Sequence, residues 1–144
     1  MKRSFILFSA IALGLFSSCS DDDSSDTPED TLKGSWQLTA ELENGDPYEL
    51  DNCDLEETIV FKSDGVFEFL DYDPAEDNEN ECVLDDDSSV GEWSISSEGK
   101  LIVIEDDFEP YTVDYDISGN TLTITDIEED GDETFVYETI YIRK

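Results

Sequence analysis

From Lys33 to the end of the chain, apolar and polar side chains alternate with a period of two, and glycine-centred turns cut the alternation repeatedly. That period cannot form an amphipathic helix, whose apolar positions recur about every 3.6 residues. It predicts eight strands: Lys33 to Leu42, Glu57 to Lys62, Val66 to Tyr72, Val90 to Ser96, Lys100 to Glu105, Tyr111 to Ile117, Thr121 to Asp126 and Glu133 to Arg143. In the first strand Trp36, Leu38, Ala40 and Leu42 are expected on one face, with Ser35, Gln37, Thr39 and Glu41 on the other. Ser63-Asp64-Gly65, Ser97-Glu98-Gly99, Gly119-Asn120 and Asp130-Gly131-Asp132 read as turns, because Asp-Gly and related pairs tolerate positive φ. The run Leu101-Ile102-Val103-Ile104 is apolar on both faces, so a covered outer face is expected there. No ten-residue stretch of this region carries a capped helical stripe, and the domain reads as all-β.

Two connections are long, Glu43 to Glu56 and Asp73 to Ser89; the others are hairpin-length. Successive short hairpins argue for a meander, since a Greek key needs a long return connection. Eight antiparallel meandering strands can close into an up-and-down barrel, which removes both edges and leaves room for side chains or one small ligand. A β-sandwich, with the two long loops as crossovers, is the alternative.

The chain carries 40 acidic residues against 7 basic ones, and no histidine. A surface this negative repels phosphate backbones, so nucleic acid is excluded as a partner. With 11% aromatic residues the chain can still build a core, unlike a disordered acidic polymer. Without histidine there is no Ser–His or Cys–His nucleophile. No glycine-rich phosphate loop or dinucleotide fingerprint is present. Carboxylate pairs abound, but no spacing marks one for glycoside hydrolysis. The sequence therefore predicts a protein that is not an enzyme and carries no cofactor.

The first residues have a separate logic. Met1-Lys2-Arg3 is basic, and Ser4 to Phe16 is apolar but short for a bilayer span. Residues 1–18 read as a secretory signal peptide. The segment ends Leu15-Phe16-Ser17-Ser18-Cys19, which resembles a bacterial lipobox. That resemblance implies a diacylglycerol on Cys19, with palmitate-like chains; two or more chains anchor stably where one is marginal. Ser20-Asp21-Asp22-Asp23 resembles the acidic export signal of Bacteroidetes lipoproteins, which implies an outer-membrane location facing the exterior. Residues 19–31 read as a flexible acidic tether, because Asp21 to Asp30 offers no apolar anchor. Lipidation consumes one of the three cysteines and leaves Cys53 and Cys82. An exported location permits a disulfide between them, closing a loop of about 30 residues worth roughly 3–4 kcal/mol. Two buried free thiols are the alternative. Zinc is not expected from two cysteines without histidine.

Gly34-x-Trp36 on the first strand, eight antiparallel strands and Arg143 near the end of the last resemble the lipocalin pattern. With the leader, residues 32–144 look like the lipocalin-like domain lipoproteins of Bacteroidetes. The resemblance implies that Trp36 sits at the closed base of a barrel with Arg143 packed across it. An arginine over an indole face contributes about 0.5–2 kcal/mol, so both residues are assigned to structure. The implied function is non-catalytic binding of a small apolar or aromatic ligand. By strand phase its lining candidates are Phe61, Phe67, Phe69, Trp93, Tyr111, Tyr115 and Tyr137. The alternative is a filled barrel acting as a structural envelope lipoprotein, whose acidic loops contact a partner; a monomer is expected. Asp126, Glu128 and Asp130, followed by Gly131, loosely imitate the start of a calcium loop. The position of its bidentate glutamate is Tyr137, however, so the run reads as a solvated acidic hairpin. Glu76 to Glu81 and Asp85 to Asp87 read likewise as solvated loops.

Overall fold

A computed structural model of the chain describes residues 27–105 and 109–144. The signal peptide, Cys19 and the acidic run Asp21 to Asp23 lie outside the described residues. In chain order the elements are a short helix α1 (Pro28–Leu32), β1 (Gly34–Glu43), β2 (Asp46–Pro47), a 3-10 turn (Asp54–Glu56), β3 (Thr58–Phe61) and β4 (Val66–Leu70). They continue with β5 (Tyr72–Ala75), β6 (Asn78–Leu84), β7 (Ser89–Ile95), β8 (Leu101–Glu105), β9 (Tyr111–Ser118), β10 (Thr121–Asp130) and β11 (Glu133–Arg143).

Every pairing is antiparallel, and neighbours in space follow chain order from β1 through β3, β4, β7, β8, β9 and β10 to β11. The last strand then pairs with the first, Trp36 opposite Arg143 and Leu38 opposite Tyr141. That pairing closes an eight-stranded barrel and leaves no room for the sandwich reading, in which the first and last strands would keep free edges. The eight barrel strands are those expected from the alternation, with ends shifted by a few residues. Both long connections carry structure that the alternation did not announce. The first folds back at once through Asn44-Gly45, both with positive φ, so that β2 pairs with the end of β1. The second contains the hairpin β5–β6, a two-stranded sheet outside the barrel. A disulfide between Cys53 and Cys82, with Cα atoms 5.4 Å apart, ties that hairpin to the 3-10 turn.

Three local features depart from the sequence reading. The stretch expected as a flexible tether through residue 31 instead ends in α1, which contains Asp30. Thr27 caps the helix, its hydroxyl accepting from Asp30 N while Asp30 accepts from Thr27 N; Pro28 starts it, and Leu32 buries completely. In β1 a bulge leaves Thr39 unpaired between Leu38 and Ala40. Its hydroxyl donates to Ile140 O at 2.8 Å instead. One extra residue reverses the phase. Glu41 and Glu43, opposite Thr139 and Tyr137, take the inner face in place of Ala40 and Leu42. Finally, the outer face of β8 is not sealed: Ile102 is half-buried and Ile104 exposed, flanked by Glu92 across the strand pair.

The core fills the lower part of the barrel with Trp36, Leu38, Phe61, Phe67, Trp93, Leu101 and Leu122, joined by Leu32 from the helix. The Phe67 ring packs against Gly91, its partner on β7, where a Cβ would stand 2.5 Å from the ring. Gly34 is demanded twice over. Its φ is +129°, a region closed to residues with a Cβ, and a Cβ there would stand 2.8 Å from Arg143 Nη1. Gly34→Ala is expected to lose about 2–4 kcal/mol in urea unfolding, by strain and by displacing Arg143. Gly119→Ala, also at positive φ but in open space, should lose only about 1–2 kcal/mol. Equal losses would show that the contact with Arg143 contributes nothing.

Candidate functional site

The two ends of the barrel differ in chemistry because inward positions on the strands run from large apolar residues to carboxylates. At the closed end the Trp36 ring is fully buried, with the Arg143 guanidinium carbon 4.0 Å from its centroid. The indole Nε1 donates to Leu32 O at 2.7 Å. Arg143 Nη1 donates to Lys33 O at 2.8 Å and Nη2 to Thr31 O at 2.5 Å. The last carbonyls of α1 are thereby satisfied by the side chains that close the barrel. Phe61 and Trp93 meet edge to face above this plug, centroids 5.3 Å apart. Trp93 Nε1 donates to Lys62 O at 3.1 Å, which fixes that ring in a structural position.

At the other end a cavity of about 350 Å³ opens between the strands. Its walls are Ile59, Phe67, Phe69, Val103, Val113 and Ile124. Around and above them stand Asp87, Ser89, Glu105, Tyr111, Asp126, Thr139 and Tyr141. Three inward rows share one pattern from base to mouth: Phe61 and Ile59 on β3, with Glu57 just before the strand; Leu101, Val103, Glu105 on β8; Leu122, Ile124, Asp126 on β10. On β1 the bulge adds a fourth, Trp36, Leu38 and then Glu41. Tyrosines answer the acids. Tyr141 Oη donates to Glu57 Oε1 and Tyr111 Oη to Glu105 Oε1, each at 3.0 Å, and Tyr48 donates to Glu43.

The described chain's five cations do not reach these carboxylates. Lys33, Lys62 and Lys100 pair with Asp30, Glu68 and Asp114. Arg143 is spent on the base, and Lys144 Nζ donates to Thr58 Oγ1. The mouth is thus acidic without internal compensation. Desolvation, with the nearby charges of Glu41, Asp71 and Asp54, pushes the Glu57 carboxyl up to about 7 against the opposing Tyr141 hydrogen bond. Desolvation, then Asp54, raises Glu41 as well. The Tyr111 phenol is held above its ordinary range by desolvation, by its bond to Glu105 and by Asp126. Burial, with the charge of Glu57, likewise holds the Tyr141 phenol above its ordinary range.

Of the seven expected lining residues, the cavity gathers Phe67, Phe69 and Tyr111. Phe61 and Trp93 belong to the base. Tyr115 packs against the core lower down, close enough to α1 to sense Glu29. Tyr137 stands above the cavity beside Glu43, Glu128 and Asp126. Asp126, Glu128 and Asp130 are strung along β10, opposite Tyr137, Phe135 and Glu133. An extended strand separates alternate residues by about 6–7 Å, so they do not converge as a calcium loop would. Among the described residues no group of three or more acidic or cysteine side chains is placed to hold a metal ion. Glu57 and Glu105 have no place in the sequence reading of the site, and Asp126 enters it only as a calcium candidate, although their phase is legible: each lies two residues from an inward apolar position, Ile59, Val103 and Ile124. Glu41 was concealed by the bulge.

A closed meander with a plugged base and a walled cavity at its mouth defines the class of barrel that holds small molecules inside. A family model described as a lipocalin-like domain matches residues 32–141. The chain belongs to that family, whose barrel is a small-molecule-binding fold. No curated protein matches the chain significantly.

Glu57 makes a pH-dependent prediction. Below pH about 7 the native state keeps a proton that the unfolded chain releases near the ordinary 4.5. The associated stability is complete below 4.5 and is lost as pH rises to about 7. Glu57→Gln should flatten the fall in urea-unfolding stability between pH 4.5 and 7.5 by about 1–2 kcal/mol, solvent screening allowed for. Identical slopes in the two proteins would refute the assignment.

Proposed function

We propose that this protein is a surface-anchored lipoprotein of the Bacteroidetes type that binds a small ligand with an apolar or aromatic body, without catalysis. The cavity carries this reading: about 350 Å³, walled by aliphatic and aromatic side chains and open at one end. A filled barrel serving only as an envelope component would have packed that space at interior density. The absence of histidine and of a recognisable nucleophile motif supports a binding role over a reaction. The lipobox-like Leu15-Phe16-Ser17-Ser18-Cys19 and the acidic run behind it support a lipid anchor on Cys19 and an outer-membrane location facing outward. A cavity that encloses its ligand needs no second subunit, which supports a monomer.

Native mass spectrometry of the chain carrying Cys19→Ser, purified without detergent, is expected to show a co-purified small molecule or to retain an added one. Thr139→Trp, which places an indole in the cavity, should abolish retention while the protein still unfolds cooperatively. Retention undiminished in that variant would move the ligand elsewhere. Intact-mass analysis of the exported wild-type chain should find diacylglycerol on Cys19, and Cys19→Ser should release the protein from the membrane fraction.

A further inference from the structure

We propose that the ligand of the cavity is an organic monocation, an ammonium on a short apolar or aromatic body whose charge sits at the mouth between Glu105 and Asp126. This rests on the binding reading above and adds the sign of the ligand's charge. The cavity walls ask for an apolar body, and about 350 Å³ accommodates on the order of a dozen non-hydrogen atoms at the roughly 30 Å³ of a water molecule. Glu105 on β8 and Asp126 on β10 line the same cavity on either side of β9, which carries Tyr111; Glu105 accepts from the Tyr111 hydroxyl, and the charge of Asp126 acts on the same phenol. The Tyr111 hydroxyl donates to one oxygen of Glu105, leaving the other free to accept from a ligand.

Charge decides between ligand classes. A fatty acid or other anion entering this mouth would meet Glu105, Asp126 and Asp87 with no lysine or arginine of the described chain to offset them. A neutral ligand would strip water from the carboxylates and return nothing. An ammonium replaces that water with charge-assisted hydrogen bonds, and the aromatic side chains of Tyr111 and Phe69 line the same cavity. The net charge of −33 raises the local concentration of cations around the whole molecule. That general attraction would act equally at any acidic patch, so the test must separate it from the cavity.

Three probes of matched size, 4-phenylbutylamine, 4-phenylbutanol and 4-phenylbutyrate, should be titrated calorimetrically into the purified chain carrying Cys19→Ser at pH 7.5. The amine is expected to bind one to one and at least tenfold more tightly than the alcohol, with the acid weakest. Glu105→Gln with Asp126→Asn should bring the amine-to-alcohol ratio close to one; each single variant, in case the pair fails to fold, should lower it severalfold. Glu92→Gln with Asp116→Asn removes the same charge from exposed outer positions and should leave the ratio unchanged. Alcohol binding as tightly as amine, or a preference that survives the inner pair of substitutions, overturns the inference while the binding reading stands. Failure of all three probes to bind overturns both.

Discussion

The guanidinium of Arg143 holds the two ends of the described chain in one place. It stacks on Trp36, donates to the carbonyls of Thr31 and Lys33, and lies where only a glycine at position 34 leaves it room. Each of these contacts is modest alone, of the order of 1 kcal/mol. Together they do what backbone pairing cannot. They convert a closing strand pair into a sealed base, and they recruit a helix too short to persist by itself as the plug. With the base sealed, the apolar weight of the barrel collects at that end. The space left over is at the other.

The acidic mouth follows from strand geometry rather than from surface decoration. Side chains two apart share a face, so a carboxylate placed two residues beyond an apolar pair must point where they point. Glu57, Glu105 and Asp126 are carried inward in this way, and the bulge at Thr39 adds Glu41. Burying carboxylates near each other raises their proton affinity, which is the state of Glu57 and Glu41. Such an arrangement costs stability in an empty barrel.

The disulfide has a local part in this economy. Cys53 is buried beside the 3-10 turn, which Asp51 braces by accepting from the amides of Cys53 and Asp54. Cys82 lies on the hairpin that leaves the barrel between β4 and β7. The bridge therefore fastens the hairpin to the 3-10 turn that precedes β3. It spans only 29 positions of chain, and the barrel closes without it.

Much of the architecture was legible in the order of residues. Period-two alternation cut by glycine turns determined eight antiparallel strands, and their short connections determined a meander, because both are consequences of local geometry. Gly34, Trp36 and Arg143 announced the base, since their chemistry makes sense only if the ends of the domain meet. What the sequence could not decide was phase and depth. Leu42 and Glu41 exchanged faces because one unpaired residue, Thr39, reverses every side chain after it, and a bulge is chosen by the partner strand. Phe61 and Trp93 read as pocket walls by periodicity, yet they fill the base, because periodicity says which face a residue takes and not how far along the barrel it lies. Only closure of β11 onto β1 sets that height, and with it which side chains become core and which surround the cavity.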